Sequence, residues 1–332
     1  MAVIALLALT DVSHARMRSG VVTQGPLTKG DFTQMERGGV ETLRFLIRWR
    51  VVEPDQGIYH WSSIDAVVAK ATRAKVEPLP FVYGSPGWIA EPERHPPLDS
   101  ASHERAWQQF LGALVDRYGR GGEFWHGPGP NQPIKRWQIW NEPNFDFYWH
   151  PKPDPAAYAR LLEISADAIR LRDRRADLVM AGVAPIASGM RWWKFLRMVY
   201  RSPGVNRDFD VAALHPYSPG IRDLETQVDL ARKIMAENGD RRKSLAITEI
   251  GWSSGRERAP LVVGVCRQAD LLRKSFRLLA RVRRWQVSDA HWYAWQDSLT
   301  VEPFCTFCEK AGLFGLRGRP KPAWSAYRAV AR

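Results

Sequence analysis

The sequence predicts a single (β/α)8 barrel, in which a closed parallel sheet is surrounded by helices. Apolar, β-rich segments alternate along the chain with amphipathic helical segments, a pattern typical of a parallel sheet. Eight such pairs over roughly 310 residues match a barrel with enlarged loops. The main alternative is an open, doubly wound sheet, but no glycine-rich GxGxxG turn follows the first predicted strand.

The predicted strands are short apolar segments rich in β-branched and aromatic residues. They occupy residues 20–23, 42–47, 76–83, 134–140, 178–183, 209–215, 245–250 and 290–295. The predicted helices carry apolar residues at helical spacing. They occupy residues 29–37, 64–74, 102–118, 155–172, 192–200, 222–236, 267–283 and 322–330.

The composition is that of an ordinary globular protein. The chain has 332 residues, of which 45% are apolar and 25% are charged. These values exclude wholesale disorder, a fibrous repeat and a disulfide-dense miniprotein. The 15 Trp outnumber the 13 Phe and the 9 Tyr. Because indole combines a broad flat face with one N–H donor, this excess indicates a partly wet binding surface.

The net charge of +13 comes mostly from arginine, as in residues 170–175 and 281–284. One interpretation is an anionic partner, either a nucleic acid or an acidic polysaccharide. These segments lie within amphipathic helical patterns and show no aromatic interleaving or nucleic-acid motif, which favours solvated helix faces. We therefore expect no nucleic-acid partner, and an acidic polysaccharide stays open.

The N-terminal segment resembles the end of a secretory signal. Residues 2–9 are apolar but too few to span a bilayer, and Ser13 and Ala15 are small residues at the positions that a signal peptidase reads. We expect residues 1–18 to be a truncated signal or an N-terminal extension, with a first strand as the alternative, and residues 19–332 to form the barrel. The expected location is extracellular or at the cell surface, with the cytoplasm still open. We expect a monomer without a membrane-spanning helix.

The three cysteines are Cys266, Cys305 and Cys308. The last two form a CxxC motif, but the sequence lacks a second ligand pair for structural zinc, and the position does not suit a thioredoxin-like site. We expect a short-range disulfide between Cys305 and Cys308, and a free, buried Cys266. A redox or zinc protein remains the alternative, whereas our prediction requires no metal and no organic cofactor.

Two glutamates carry the strongest chemical signal. Glu142 and Glu249 lie at the ends of predicted strands four and seven, which are otherwise apolar, and the carboxyl ends of barrel strands form the active-site face. Two buried carboxyl groups that face one pocket acquire different pKa values, which makes one an acid and the other a base. Glycosidic bond cleavage needs such a pair. Either glutamate alone is equally well explained by an ion pair with a neighbouring arginine.

Residues 137–144 read Trp-Gln-Ile-Trp-Asn-Glu-Pro-Asn. This segment resembles the acid/base region of clan A retaining glycoside hydrolases, and the resemblance is closest to family 39 and its bacterial exopolysaccharide-hydrolase branch. A family 5 cellulase-like endoglycosidase is the alternative within the clan. Further matching segments are residues 53–61, 86–88, 148–158, 215–217, 248–252 and 321–324.

The resemblance implies that Glu142 is the general acid/base and Glu249 the nucleophile of a double displacement on a polysaccharide or oligosaccharide. It also implies that Asn141 binds the sugar 2-hydroxyl and that Arg44 keeps Glu249 ionised. Two further residues, His215 and Tyr217, would hydrogen-bond around the nucleophile.

The resemblance also implies that aromatic side chains stack on sugar faces. The candidates are Trp49, Trp88, Tyr293 and Trp295. Tyr293 and Trp295 would point the same way along strand eight. The alternative from another class is a non-catalytic carbohydrate-binding barrel that keeps a tryptophan-lined cleft.

Overall fold

Eight parallel strands close into a barrel in the computed structural model, which describes residues 16–185, 188–301 and 305–331. Each strand pairs with the next one along the chain, and the eighth pairs with the first. The predicted (β/α)8 fold is thereby confirmed. The apolar segment and the cleavage-site pattern predicted within residues 1–15 lie outside the described residues.

The strands are β1 (Arg18–Val22), β2 (Thr42–Arg48), β3 (Glu77–Tyr83), β4 (Arg136–Ile139), β5 (Asp177–Val179), β6 (Val211–Leu214), β7 (Ser244–Ile250) and β8 (Val287–Tyr293). The helices are α1 (Lys29–Gly38), α2 (Trp49–Val52), α3 (Ser62–Arg73), α4 (Ala101–Tyr118), α5 (Pro155–Arg172), α6 (Trp192–Val199), α7 (Ile221–Glu237), α8 (Val265–Arg281) and α9 (Pro322–Arg328). No helix in these ranges is both long and apolar enough to cross a membrane.

Helix ends follow local sequence signals. The hydroxyl of Thr28 accepts from the backbone N–H of Asp31, whose carboxylate accepts from the N–H of Thr28, so α1 begins with a capping box. The carboxylate of Asp154 caps α5 by accepting from the N–H groups of Ala156 and Ala157, and proline occupies the first helical position. The predicted helices correspond to α1 and α3–α9, whereas the single turn α2 was not predicted.

Strand eight is shifted from its prediction. The expected segment was residues 290–295, but β8 begins earlier and ends at Tyr293. Trp295 lies beyond the strand, where its N–H donates to Asp31 and its ring packs on Phe314 and Trp324. The apolar segment therefore continues into a loop that packs against α9, which hydrophobicity alone cannot distinguish from a strand.

The cysteines agree with only part of their prediction. Cys305 and Cys308 are joined in a disulfide. Cys266 is free but exposed, so the expectation that it is buried is wrong. It is the second residue of α8, on the opposite side from the face that buries Gln268 and Leu272.

A buried ion network closes the amino-terminal end of the barrel. Asp289 on β8 lies 2.6 Å from Arg136 on β4 and 3.0 Å from Arg18 on β1. Both arginines also pair with Glu77 on β3. Burial alone would raise the pKa of Asp289, but the charges of Arg136 and Arg18 outweigh it and hold that pKa below its ordinary value. Ion pairs between two arginines and two acidic residues thus connect four strands.

We predict that Asp289→Asn lowers the free energy of unfolding by about 3–5 kcal/mol, because it removes one partner of a buried ion pair and leaves Arg136 undercompensated. Chemical denaturation followed by tryptophan fluorescence measures the change. Asp270→Asn is the matched control, because it breaks an exposed pair with Lys274 and should cost less than about 1 kcal/mol. Equal losses in the two variants would contradict the prediction.

The same network predicts an acid dependence. A carboxyl whose folded pKa is depressed stabilises the fold above its unfolded pKa of about 3.9, and this contribution is lost as the pH falls. The stability difference between the parent and Asp289→Asn should therefore shrink below about pH 4. A difference that stays constant down to pH 2 would show that the charge of Asp289 is not responsible.

Candidate active site

The carboxyl ends of the strands open onto a cleft of about 700 Å³. It is lined by residues from β2, β3, β7 and β8 and from the segment after β4. Arg44, Asn141, Glu249 and Tyr293 are among these lining residues. The sequence-predicted polar residues therefore meet at one end of the barrel, as the parallel topology requires.

Glu249 lies near the end of β7 and faces Arg44 from β2. The Arg44 Nη1 atom donates to Glu249 Oε1 at 2.5 Å, and the Tyr217 hydroxyl donates to Oε2 at 2.6 Å. Burial alone would raise the pKa of Glu249, but the charges of His215 and Arg44 and the hydrogen bonds from Tyr217 and Arg44 outweigh it. The pKa of Glu249 is thereby held below its ordinary value, and the carboxylate stays ionised.

Glu142 follows β4 and has a different environment. Its Oε1 atom shares a hydrogen bond of 2.7 Å with His215 Nδ1. Burial raises the pKa of Glu142, and the charge of Glu249 adds to this effect, although His215 and Arg44 oppose it. The net shift is upward. The two carboxyl groups therefore have pKa values displaced in opposite directions, which divides the roles of acid and base between them.

The two glutamates are close together. One carboxylate oxygen of each, together with a ring nitrogen of His215, falls in a set of atoms within 4.8 Å of one another. The ring Nδ1 lies 3.7 Å from Glu249 Oε2 as well as beside Glu142. His215 thus bridges the pair, and its own ring is held by a 3.0 Å hydrogen bond to Thr248.

This set of ligand atoms has the geometry of a three-residue metal site. However, the guanidinium of Arg44 lies directly on Glu249, and a fixed positive charge there opposes a cation at the same carboxylate. The chemistry of the donors therefore favours an acid/base pair over a metal centre.

The backbone around Glu142 adopts unusual conformations. Trp140 has φ of 71° and Glu142 has φ of 39°, both in the left-handed region that non-glycine residues rarely adopt. Strain of this kind concentrates at functional sites, where the surrounding structure over-determines the backbone. Trp140 is held by its indole N–H, which donates to the carbonyl of Tyr148, and by packing on Trp149.

Asn141 is positioned by Arg44, which donates from Nη2 to the side-chain oxygen of Asn141 at 2.8 Å. The side-chain N–H groups of Asn141 make no hydrogen bond with the described residues, and they are available to a ligand. Sequence analysis missed Gln138, whose side chain accepts from Arg44 at 2.6 Å and donates to the carbonyl of Met180. Its signal was a polar side chain between two large apolar residues of the strand, Trp137 and Ile139.

Tyr217, which hydrogen-bonds to Glu249, packs against Tyr293, which lines the cleft. Their rings meet edge to face with centroids 6.3 Å apart, and Phe307 packs on Tyr217 at 5.0 Å. The hydroxyl of Tyr293 accepts a hydrogen bond from Gln24 on the segment after β1. Burial and the charge of Glu249 raise the pKa of both tyrosines well above 10, so both hydroxyls stay protonated donors.

The expected tryptophan platform is wrong. Trp49 is 0% exposed and Trp295 is 1% exposed, so neither can stack on a sugar. Trp49 donates from its indole to Glu53, and Trp88 packs edge-on against Trp49 and donates to the Glu53 carbonyl. Trp88 is also not among the residues that line the cleft. These indoles pack the outer layer of the barrel.

Phenylalanine and tyrosine supply the aromatic surface of the cleft instead. They are Phe45, Phe81, Tyr83, Phe147, Tyr148 and Tyr293. Tyr293 was the only one of the four predicted stacking residues that lines the cleft. Phe147 and Tyr148 follow the Glu142 motif directly, so proximity to that motif was the signal that could have identified them.

Gly182 makes room for His215. A Cβ atom on Gly182 would lie 2.1 Å from the Nε2 atom of the His215 ring, closer than any real contact. A larger residue would displace the ring that bridges the two glutamates. Sequence analysis did not identify this glycine because the constraint comes from a neighbouring strand rather than from a local turn.

Comparisons with solved structures agree with this fold. A family 39 glycoside hydrolase from the gut symbiont Bacteroides cellulosilyticus WH2 has a TM-score of 0.72 and 21% identity, with 95% of this chain and 64% of that chain covered. A glucosidase from Croceicoccus marinus has a TM-score of 0.71 and 16% identity, with 95% and 67% covered. A GH5_18 protein from Bifidobacterium longum subsp. longum ATCC 55813 has a TM-score of 0.69 and 15% identity, with 96% and 79% covered.

No protein-family model and no curated protein matches the chain. The chain spans 64% of the length of the family 39 enzyme. At these identities the likeness establishes the fold, and it confirms the predicted resemblance to family 39 and its clan A relatives at that level.

Proposed function

We propose that the protein is a retaining glycoside hydrolase that cleaves O-glycosidic bonds of a polysaccharide or oligosaccharide by double displacement. The observation that carries the proposal is the pair Glu142 and Glu249, whose carboxylate oxygens approach within 4.8 Å and whose pKa values are shifted in opposite directions. Retaining enzymes hold their carboxyl groups about 5–5.5 Å apart, whereas inverting enzymes leave about 6.5–9.5 Å for a water molecule. The glycoside hydrolase neighbours support this assignment.

In the first step, Glu142 transfers its proton to the glycosidic oxygen while the Glu249 carboxylate attacks the anomeric carbon. The bond from the anomeric carbon to the leaving oxygen breaks, and a covalent glycosyl ester forms on Glu249. The raised pKa of Glu142 keeps this proton available, and the depressed pKa of Glu249 keeps the nucleophile ionised. The amide of Asn141 would donate to the sugar 2-hydroxyl, a contact that strengthens in the transition state.

In the second step, the ionised Glu142 takes a proton from water, whose oxygen attacks the anomeric carbon and displaces Glu249. Arg44 and Tyr217 then stabilise the released carboxylate through the hydrogen bonds already described. His215 contacts both glutamates and positions Glu142 as it changes its protonation state. All reacting groups come from the protein, water and substrate.

A non-catalytic carbohydrate-binding barrel is the alternative from another class. It does not require two carboxyl groups with opposed pKa shifts at reacting distance, and therefore explains less of the site. A family 5 cellulase-like endoglycosidase would use the same two residues, so the alternatives within the clan differ in substrate. Secretion, action on an extracellular polysaccharide and a monomeric state complete the proposal.

Covalent trapping tests the nucleophile. Incubation with a panel of 2-deoxy-2-fluoroglycosides that carry good leaving groups should give a stable adduct, because the fluorine slows both steps and the good leaving group accelerates only the first. Peptide mass spectrometry should locate the adduct on Glu249, and Glu249→Gln should give none. An adduct on any other residue would contradict the assignment.

Glu142→Ala should lower kcat by about 10²–10⁴-fold on substrates with poor leaving groups, because protonation of the leaving oxygen is lost. The loss should be smaller on aryl glycosides whose leaving group needs no proton. Added azide should restore turnover and yield a glycosyl azide of retained configuration. A product of inverted configuration would contradict the double-displacement mechanism.

Tyr217→Phe should move the acid limb of the kcat/KM profile to higher pH. The Tyr217 hydroxyl donates to ionised Glu249 and lowers its pKa, so its removal raises the pH below which the nucleophile is protonated. Tyr293→Phe is the matched control, because the Tyr293 hydroxyl binds Gln24 rather than Glu249. An acid limb that moves equally in both variants would contradict the role of Tyr217.

A further inference from the structure

One wall of the cleft contains an arginine whose buried Nε atom is unpaired among the described residues. Arg94, on the connection between β3 and α4, lines the cleft together with Arg48 and Glu93. Its Nε atom is buried and has no hydrogen-bond partner in the described part of the chain. A buried donor that stays unpaired lowers the stability of the folded protein. A ligand group that accepts a hydrogen bond from this donor would explain its presence.

The neighbouring carboxylates do not neutralise Arg94. Glu93 lies 3.8 Å from Arg48 and 3.9 Å from Arg50, and Arg50 also pairs with Glu91 at 2.7 Å. Neither acid lies within ion-pair distance of Arg94 among the described residues. Among the residues that line this wall, the two guanidinium groups of Arg48 and Arg94 therefore meet one carboxylate, that of Glu93, and one positive charge is left over.

The surroundings add no compensating negative charge. The backbone N–H of His150 donates to the carbonyl of Arg94, and the rings of His150 and His95 lie 5.4 Å apart. Asp99, a further acid on the same connection, is paired with His95 at 3.0 Å. Burial, followed by the charges of His95 and Arg94, lowers the pKa of His150, which agrees with a positive local potential.

The chemistry of arginine indicates what would bind. A sugar hydroxyl could accept one hydrogen bond from Arg94 but would leave its charge uncompensated. A carboxylate accepts from two guanidinium nitrogens at once and neutralises the charge. Phe147 and Tyr148 line the same cleft and offer apolar faces to a sugar ring.

We propose that Arg94 forms a subsite for a carboxylate-bearing sugar, such as a uronate, in the cleft that contains Glu249. This inference rests on the proposed glycosidase function and deepens it, because it assigns the substrate to the acidic polysaccharides. Arg94 acts as a specificity-determining residue, while Arg44 stays committed to Glu249. The net charge left an acidic polysaccharide open as a partner, and Arg94 is the residue that would bind its carboxylate.

Binding measurements on the full chain with Glu142→Gln, which prevents turnover, test the subsite. The probes are oligogalacturonate, oligomannuronate, oligoguluronate and oligoglucuronate, each beside its carboxyl-reduced neutral counterpart, in calorimetric titrations at physiological salt. At least one acidic probe should bind at least tenfold more tightly than its neutral counterpart. Adding Arg94→Gln should weaken that binding about ten- to hundredfold, as expected for hydrogen bonds to a charged group.

Arg277→Gln on the exposed face of α8 is the matched control. It removes the same charge away from the cleft, so it should change the affinity by less than about twofold. Unchanged melting temperatures would show that both variants remain folded. Equal effects of the two variants, equal binding of acidic and neutral probes, or binding of none of the four acidic probes would overturn the subsite.

Failure of the subsite and failure of the glycosidase proposal are separable. Labelling of Glu249 by a small neutral fluoroglycoside is measured on the parent chain, and this readout does not depend on a uronate contact, because Arg94 forms no ion pair with either glutamate among the described residues. Labelling without selective uronate binding would reject the subsite only. Uronate binding through Arg94 without labelling or turnover of any glycoside would reject the enzyme and leave the binding site.

Discussion

The guanidinium of Arg44 is the group on which the site depends. It is 0% exposed inside the barrel, and a buried charge is tolerated only when it is paired and hydrogen-bonded. Its partners are Glu249, Gln138 and Asn141, contributed by two strands and the segment that follows one of them. The same contacts that make the cation tolerable also fix the nucleophile and the residue that would bind the sugar.

From this arrangement follows the asymmetry between the two carboxyl groups. Burial raises the pKa of both, so the difference must come from their partners. Among the described residues, the Glu249 carboxylate has Arg44 and the Tyr217 hydroxyl within hydrogen-bond distance, whereas the Glu142 carboxylate has His215 alone. Arg44 and the Tyr217 hydroxyl, which hydrogen-bond to Glu249, therefore act together with His215 to produce an acid and a nucleophile from two chemically identical side chains.

The balance between positive and negative side chains differs at the two ends of the barrel. At the amino-terminal end, two arginines and two acids balance one another and join four strands. At the carboxyl end, the wall around Arg94 keeps one charge in excess and faces the cleft. Elsewhere, arginines such as Arg170 and Arg284 form exposed ion pairs with Asp210 and Asp229. The excess charge at the cleft is placed to meet a ligand beside Glu249.

The sequence by itself determined the barrel and the two glutamates. Alternating hydrophobic periodicities and helix caps are local properties, and a carboxylate at the end of an apolar strand stands out without any knowledge of its neighbours. Only the tertiary structure decided which aromatics face the cleft, because burial depends on packing between distant segments: Trp49 and Trp295 are enclosed, whereas Phe147 and Tyr148 line the site. Likewise, the unpaired state of Arg94 depends on which acids fold beside it.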